Sequence, residues 1–430
     1  MADKHPPIRK QTLDERFAKD PVMRERMHQI ADMRDELIAS GCSLDEVENQ
    51  VVEQIRLLGQ ELLGGVAQIK ADEATAKARR EHRPAIRDIK KKVTWFTTLG
   101  AISVEEEVLR LGRRGVRLRP FCQSQGIQHR GYSARLERAM TDFGAEESFQ
   151  RASARLKEHY GIEVNSEAIR QQTLHHGKAI GAMVPTTDRA AKELVTQMDG
   201  SLIPVVQPAS SGDRRKNKAL VWREVRVCCA RAVGKDRPVY GATLGTLESC
   251  SLLWEQTARY AGCHQKTYVH GVGDGAPWIV EKFKENFEQQ GQYLLDFYHV
   301  SEYLAGAAPV IAGQKALAWV RRQQGRLLNN EVSKVLRSLS VHLEPENQAE
   351  TPVRDAYRYI DQRRANLDYQ GARARKLPIG SGEIESAHRH LIQKRLKLSG
   401  SWWKETNAQA LITLRTARAN NCWEAYWSKN

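Results

Sequence analysis

Tyr268-Val-His-Gly-Val-Gly-Asp-Gly-Ala-Pro-Trp278 is an apolar run that stops at an aspartate and restarts on a proline. Its first half predicts a strand over 267–272. Pro277, at a position suited to a helix's first turn, predicts a helix from Trp278 to Gln289. Upstream, Leu194 to Met198, Ala219 to Val233 and Pro238 to Leu244 read as three strands, and Ser251 to Ala261 as a helix. Downstream, Tyr293 to Phe297 reads as one more strand. Three strands followed by helix–strand alternation predict an α/β fold, a mixed sheet with helices on its faces. From Ser301 to Leu367 the periodicity is helical throughout, with a polar loop at Glu344–Thr351.

The N-terminal third is organised differently. Residues 13 to 92 read as charged helices, with Ile30, Met33, Leu37 and Ile38, then Val51, Ile55, Leu58 and Leu62, at helical spacing. The basic stretch Lys77 to Lys92, interrupted by Pro84, reads as a block that pairs with its own copy, lies along DNA, or forms a solvated hairpin on its own domain. From Val93 to Leu118 the pattern becomes that of a small hairpin or meander, with Arg113, Arg114, Arg117 and Arg119 along one edge. Ser148 to Tyr160, a turn at Gly161, and a helix capped by Asn165 or Ser166 then form a helix-turn-helix candidate. Its second helix carries Glu167, Arg170, Gln171, Gln172 and Thr173, types that reach base edges or phosphates. A polar linker covers 186 to 192. Three regions follow: 1–92 helical, for oligomerisation or DNA contact; 93–185 hairpin plus helix-turn-helix; and 190–430, with a helical insertion at about 301–370.

With 67 Lys+Arg against 52 Asp+Glu in 430 residues, the chain carries a formal +15. That excess points to a polyanionic partner whose binding weakens with salt. No run approaches the roughly 18 apolar residues that span a bilayer, and the first residues start no secretory pattern. A cytoplasmic protein that joins the nucleoid when bound to DNA is expected, with no membrane partner. The seven cysteines form no C-x-x-C pair, which argues against structural zinc. Cys228 and Cys229 are adjacent in a strand and face opposite ways.

Three carboxylates stand out against this background. Asp199, in Met198-Asp-Gly200, closes an apolar strand; taken alone, Asp-Gly also reads as a hairpin turn. Asp274 sits at the strand-to-helix turn, where a capping role is the plain alternative. Parallel neighbours would end at one edge and bring the two acids within one ion's reach. Oxygen donors of this kind favour Mg²⁺ or Mn²⁺. The third acid comes from Ile379-Gly-Ser-Gly-Glu-Ile-Glu-Ser386. Glu383 and Glu385 diverge by roughly 200° on a helix, so only one can face the aspartates. Glu383 is explained by the helix dipole, whereas Glu385 shares a polar face with His388 and Arg389 and is the choice. Lys394, Arg395 and Lys397 continue that helix as cations along a phosphate path. Asp296 and His299 either assist at a metal or phosphate or hold the strand–helix corner. Trp402 and Trp403 either stack on a base or pack in the core.

Together, Met198-Asp-Gly200, Gly273-Asp-Gly-Ala-Pro-Trp-Ile279, Leu294-Leu-Asp-Phe-Tyr-His299 and the late Gly-Ser-Gly-x-x-Glu-Ser386 followed by Arg-Leu-Lys-x-Ser-Gly-x-x-Trp403 resemble bacterial insertion-sequence transposases of the ISKra type, relatives of the mutator-like DDE transposases. The resemblance covers roughly residues 93 to 427. It implies an RNase H-like catalytic domain with a helical insertion before the final glutamate, and a triad of Asp199, Asp274 and Glu385. It matches Asp296 and His299 to a D-x-x-H element and Trp403 to a late tryptophan. The implied activity is DNA cleavage and strand transfer with two Mg²⁺ (or Mn²⁺) ions, acting on terminal inverted repeats and target DNA in at least a dimer. A cutting-only nuclease and a silent DNA-binding relative are the rival expectations. The cysteine-rich zinc motif of some relatives is missing from this sequence.

Overall fold

The computed structural model describes residues 12, 15, 21–82, 85–112, 115–181, 189–208, 218–345 and 347–428. Arg113, Arg114, Pro84 and positions 186–188 of the linker, singled out above, lie outside the described residues. The chain forms two compact units, Met1–Gln172 and Thr173–Asn430.

The first unit opens with helices α1 (Pro21–Ser40) and α2 (Leu44–Glu81). Ser43 begins α2 with a capping box: its side chain accepts from Glu46 N, and Glu46 reaches back to the Ser43 backbone. The helix does not run on to residue 92 as the charge pattern suggested. It ends at Glu81, and Ala85–Thr97 is strand β1, paired antiparallel with β2 (Gly100–Leu111). The reason lies across the ladder: Lys90, Lys91 and Lys92 stand opposite Glu107, Glu106 and Glu105. Opposite charges across the strands favour this pairing, with Lys90 3.5 Å from Glu105 and Arg87 3.9 Å from Glu107, so a basic run that reads as a solvated helix is half of a charged hairpin. Short strands β3 (Arg117–Leu118) and β4 (Gly131–Tyr132) complete a sheet of order β3-β2-β1-β4, and helix α3 (Pro120–Gln125) lies between them in sequence. Glu106 is fully buried, held by Arg119 Nε at 2.9 Å and by the Cys122 N–H at 2.9 Å.

Three further helices follow: α4 (Ala134–Glu146), α5 (Phe149–Tyr160) and α6 (Ser166–Ala179), the unit division falling inside α6. Ser148 caps α5, Gly161 ends it in the left-handed region at φ +63°, and Asn165 Oδ1 caps α6 by accepting from Ala168 N. Leu136, Met140, Leu156, Ile162 and Ile169 pack as their core. The two helices and tight turn expected from sequence are present.

The second unit is built on a five-stranded mixed sheet of order β7-β6-β5-β8-β9. Strands β5 (Glu193–Pro208), β6 (Lys218–Ala232) and β7 (Val239–Thr243) are antiparallel neighbours; β8 (Tyr268–Gly273) and β9 (Gly291–Leu295) run parallel to β5 on its other side. Alternation along β5 divides the core. Leu194 and Met198 face helices α7 (Leu247–Tyr260) and α8 (Pro277–Phe287), packing with Trp254, Phe283 and Phe287. Val195 faces the other way, into a helical block led by α9 (Phe297–Ala312). Cys228 and Cys229 are both buried free thiols, Cys228 on the α7–α8 side. The block continues through α10 (Ala316–Leu328), α11 (Val332–Ser340), α12 (Pro352–Asp361) and α13 (Tyr369–Ala374). The helical stretch predicted from sequence is thus present.

The chain then returns to the sheet. Helix α14 (Gly382–Ala387) passes through a π-helical turn, His388–Gln393, into α15 (Lys394–Leu396). It closes with α16 (Glu405–Ala419) and α17 (Trp423–Trp427). Between α15 and α16, Trp403 pairs with Val205 as a parallel bridge: Trp403 N donates to Pro204 O and Val206 N to Trp403 O. No helix among the described residues is long and apolar enough to cross a membrane.

Candidate active site

Adjacent parallel strands bring the two aspartates to the same level. The β5–β8 register pairs Thr196 with Gly271; three residues further along stand Asp199, within β5, and Asp274, the residue after β8 ends. Neighbouring strands lie about 4.8 Å apart, so the two half-buried carboxylates feel each other's charge. The Asp199 carboxyl is pushed up to about 6, first by burial, then by the charges of Asp274 and Glu224; the Gly200 N–H and His299 oppose the shift. Glu224 comes from β6 and pairs with Arg226 at 2.5 Å.

The Asp274 turn is clamped from below and above. Asp274 Oδ1 accepts from Ala276 N at 2.9 Å, which prepares the first turn of α8 in front of Pro277. Gly275 takes φ +74°, a conformation that disfavours other residues there. From α12, the Tyr359 hydroxyl donates to Asp274 O, and just past the end of α12 Arg363 Nε donates to Gly275 O at 2.9 Å. The Arg363 guanidinium also lies 4.4 Å from the Tyr359 ring centroid. From β9, the buried Tyr293 hydroxyl accepts from Gly275 N at 3.3 Å. Burial, and then the Asp274 charge, push that phenol well up and keep it neutral.

The helix bearing the third acid is pinned to the same face of the sheet. Asp296 is 2 % exposed and caps α9 by accepting from Tyr298 N and His299 N. Its other oxygen accepts from both Ser381 N and Ser381 Oγ at 2.5 Å. Gln197, one pleat from Asp199 on the same face, accepts from Ile384 N at 2.9 Å. Gly380 fits only because it lacks a side chain: a Cβ there would stand 2.6 Å from the Tyr298 ring. Asp296 is therefore the corner clamp of the two expected roles, and it positions α14. His299 is half-exposed, with Nδ1 3.2 Å from Glu302.

Glu383 is committed elsewhere, to the Arg231 guanidinium at 2.8 and 2.5 Å. Glu385 is exposed, about 60° around the helix from His388. His388 is the residue of this helix that meets Asp199: Nε2 lies 3.4 Å from Asp199 Oδ2, and neither ring nitrogen makes a hydrogen bond although the ring is buried. Burial pushes its pKa down to about 4, so the ring is neutral. Among the described residues, no group of three or more His, Cys, Asp and Glu side chains stands close enough to hold a metal ion. The structure brings Asp199 and Asp274 together and does not bring Glu385 to them. The pair still fits a divalent cation: two hard oxygen donors whose mutual repulsion raises Asp199 are what such an ion offsets.

The cations assigned to a phosphate path divide. Lys394 and Lys397 are exposed, Lys397 Nζ donating to Ser201 Oγ at 2.6 Å. Arg395 is 1 % exposed, its guanidinium 4.9 Å from the Trp403 ring, so it does not face solvent as expected. Trp403 is 7 % exposed and its Nε1 donates to Leu396 O, which corrects the base-stacking option in favour of core packing; Trp402 is the exposed member of the pair. On α6, Arg170 donates to Glu167 at 2.8 and 2.5 Å and Gln171 donates to the same carboxylate, while Gln172 is half-buried. Sequence reasoning missed Gln197, Glu224, Tyr293, Tyr359, Arg363 and Ser381. Apart from Glu224, which also pairs with the nearby Arg226, each acts through a partner distant in the chain.

The family profile described as uncharacterised protein family (UPF0236) matches residues 37–427. A Streptococcus gallolyticus protein, "UPF0236 protein in vanSb 3'region", is 24 % identical over 319 residues, covering 72 % of this chain and 68 % of that protein. Among solved structures, the Drosophila P element transposase strand transfer complex aligns over 72 % of this chain and 83 % of its own, with 12 % identity and a TM-score of 0.29. NurA with manganese aligns over 61 % and 64 %, with 15 % identity and a TM-score of 0.10. Scores at this level carry no inference about fold or function.

Proposed function

The chain belongs to the UPF0236 family, and we propose that it is a DDE-type transposase, a metal-dependent enzyme that cleaves DNA at an element's ends and joins them to a target. The observation that carries the reading is the placement of Asp199 in β5 and of Asp274 just past the end of its parallel neighbour β8, with the Asp199 carboxyl raised by burial and by its neighbour's charge. Three antiparallel strands, two parallel strands added beyond the first, and a helical block inserted before the acid-bearing helix support an RNase H-like catalytic domain.

In this reading Asp199 and Asp274 hold Mg²⁺ or Mn²⁺ and Glu385 completes the set. When bound, two such ions supply Lewis-acid activation of the attacking oxygen and stabilisation of the leaving one. The chain's own residues arrange the rest. Tyr359, Arg363 and Tyr293 fix the Asp274 turn. Asp296 and Gln197 fix the start of α14. The neutral His388 ring backs the Asp199 carboxylate. Lys394 and Lys397 offer exposed positive charge to a phosphate backbone, and α6 offers Arg170, Gln171 and Gln172 to duplex DNA, including terminal inverted repeats. Two element ends require at least a homodimer.

The exposed position of Glu385 favours one alternative, a DNA-binding relative without chemistry. A labelled duplex carrying the termini of the encoding genomic segment, incubated with Mg²⁺ and wild type or Asp274→Ala, separates the readings. Joined product from wild type alone is the expected result. Cleavage without joining would replace the transposase by a nuclease. Binding without chemistry in both proteins would leave the silent relative.

A further inference from the structure

Among its described residues, the first unit carries an apolar surface that no other described element covers. Helix α2 has two faces. One is seated on the β1–β2 hairpin through small and polar residues: Ala67 and Ala71 are buried there, Gln60 Nε2 donates to Ala101 O, and Gln68 exchanges hydrogen bonds with the Glu105 backbone. The opposite face, about 200° from Ala67 at Ile69, bears an exposed stripe of Val51, Ile55, Leu62, Val66 and Ile69, each 40–60 % exposed. Helix α1 lies beside the first half of α2, tied by Arg26 to Glu61 at 2.6 Å. Yet residues 21–66 contribute no buried side chain among those described. Between the two helices runs an apolar groove of about 550 Å³, lined by Met27, Ile30, Leu37, Val47, Val51 and Ile55. Two helices with a groove and no core are half of a bundle.

We infer that this face is an interface with a second copy of the same chain, formed by antiparallel pairing of α2 with α2 about a two-fold axis near Gln60. The stripe reads nearly the same in both directions about that position. The axis sets Ile69 of one copy over Val51 of the other and Val66 over Ile55, so the Leu62–Val66–Ile69 ridge of each copy enters the α1–α2 groove of its mate. Such self-complementarity is what a two-fold interface requires. Area agrees. Two helices about 30 Å long and 10 Å wide present roughly 600 Å², and the C-terminal half of α2 extends this toward the roughly 800 Å² per partner of a stable association.

The test does not depend on the catalytic reading. Light scattering on the size-exclusion-purified full chain is expected to give a dimer mass at micromolar concentration for wild type. Val66→Lys with Ile69→Lys is expected to give a monomer with unchanged far-ultraviolet circular dichroism, since both side chains are exposed. In a Cys42→Ser background, Val51→Cys with Ile69→Cys is expected to cross-link between copies under oxidation. A monomeric wild type, or a dimer that survives the lysine pair and does not cross-link, overturns the inference. So does a wild-type monomer whose lysine pair loses binding to a DNA duplex or to anionic phosphatidylglycerol vesicles, which would make the stripe a contact for those partners.

Discussion

Glu383 and Glu385 stand two positions apart in one short helix, and the structure separates them by their partners. Arg231, 152 residues earlier, takes Glu383 into a pair whose two side chains are 21 % and 30 % exposed. Pairs this accessible contribute at most about 1 kcal/mol. Glu383→Gln is therefore expected to lower unfolding free energy by up to about 1 kcal/mol in urea titration and to leave DNA joining intact. Glu385→Gln is expected to leave stability within about 0.5 kcal/mol, as for other surface substitutions, and to abolish joining. Joining that survives Glu385→Gln would remove this residue from the triad. The divergence of the two acids was legible because helical spacing sends them apart. The identity of Glu383's partner was not, since nothing near residue 383 announces Arg231. Asp296 shows the same limit: its N-cap role is local and readable, whereas its grip on Ser381 spans 85 residues.

Elements were legible where their signals are local. Pro277 and Gly275 announce the turn at Asp274, and Asn165 announces the start of α6. The start of β1 was hidden because Lys90–Lys92 breaks the apolar alternation, and the compensating Glu105–Glu107 appears only once the register is known. Helix α12 has a remote cap that no local pattern reveals: Glu344 accepts from Val353 N and Arg354 N, both at 2.8 Å. Burial pushes the Glu344 carboxyl up, but those backbone N–H groups and the Arg354 guanidinium outweigh it and hold it below its usual range. A depressed carboxyl stabilises the fold fully above its unfolded pKa and loses that contribution as pH falls through the folded value. Glu344→Gln is expected to cost about 1–2 kcal/mol at pH 7, in line with a lost charged helix cap. The gap between variant and wild type should narrow in urea titrations repeated toward pH 3. A gap that widened on acidification would contradict the cap. Because α12 also carries Tyr359 and leads directly into Arg363, the same substitution should loosen the Asp274 turn.

At the scale of the whole molecule, the mixed sheet and its helical block were readable from the order of strand and helix signals. The closing segment was not, because Trp403 completes β5 from the far end of the sequence. Removing residues 400–430 takes away the bridge at Val205 and the buried residues of α16, among them Leu411, Ile412 and Leu414. The shortened chain is expected to lose the cooperative thermal transition of the second unit, read by near-ultraviolet circular dichroism and calorimetry. A sharp transition at an unchanged temperature would show that the sheet closes without its last helices.

The bridge between Val205 and Trp403 also sets a clock. The strand bearing Asp199 leaves the ribosome early, while the segment that hydrogen-bonds to its far end follows 198 residues later. At about 5–20 residues per second, that is a delay of roughly 10–40 s. For the part of that interval between Asp274 and Gly382 the nascent chain holds both aspartates and lacks the helix that carries Glu385. A chain released early by a premature stop or a stalled ribosome is thus a protein with an unclosed sheet, so any chemistry this centre performs belongs to finished molecules alone.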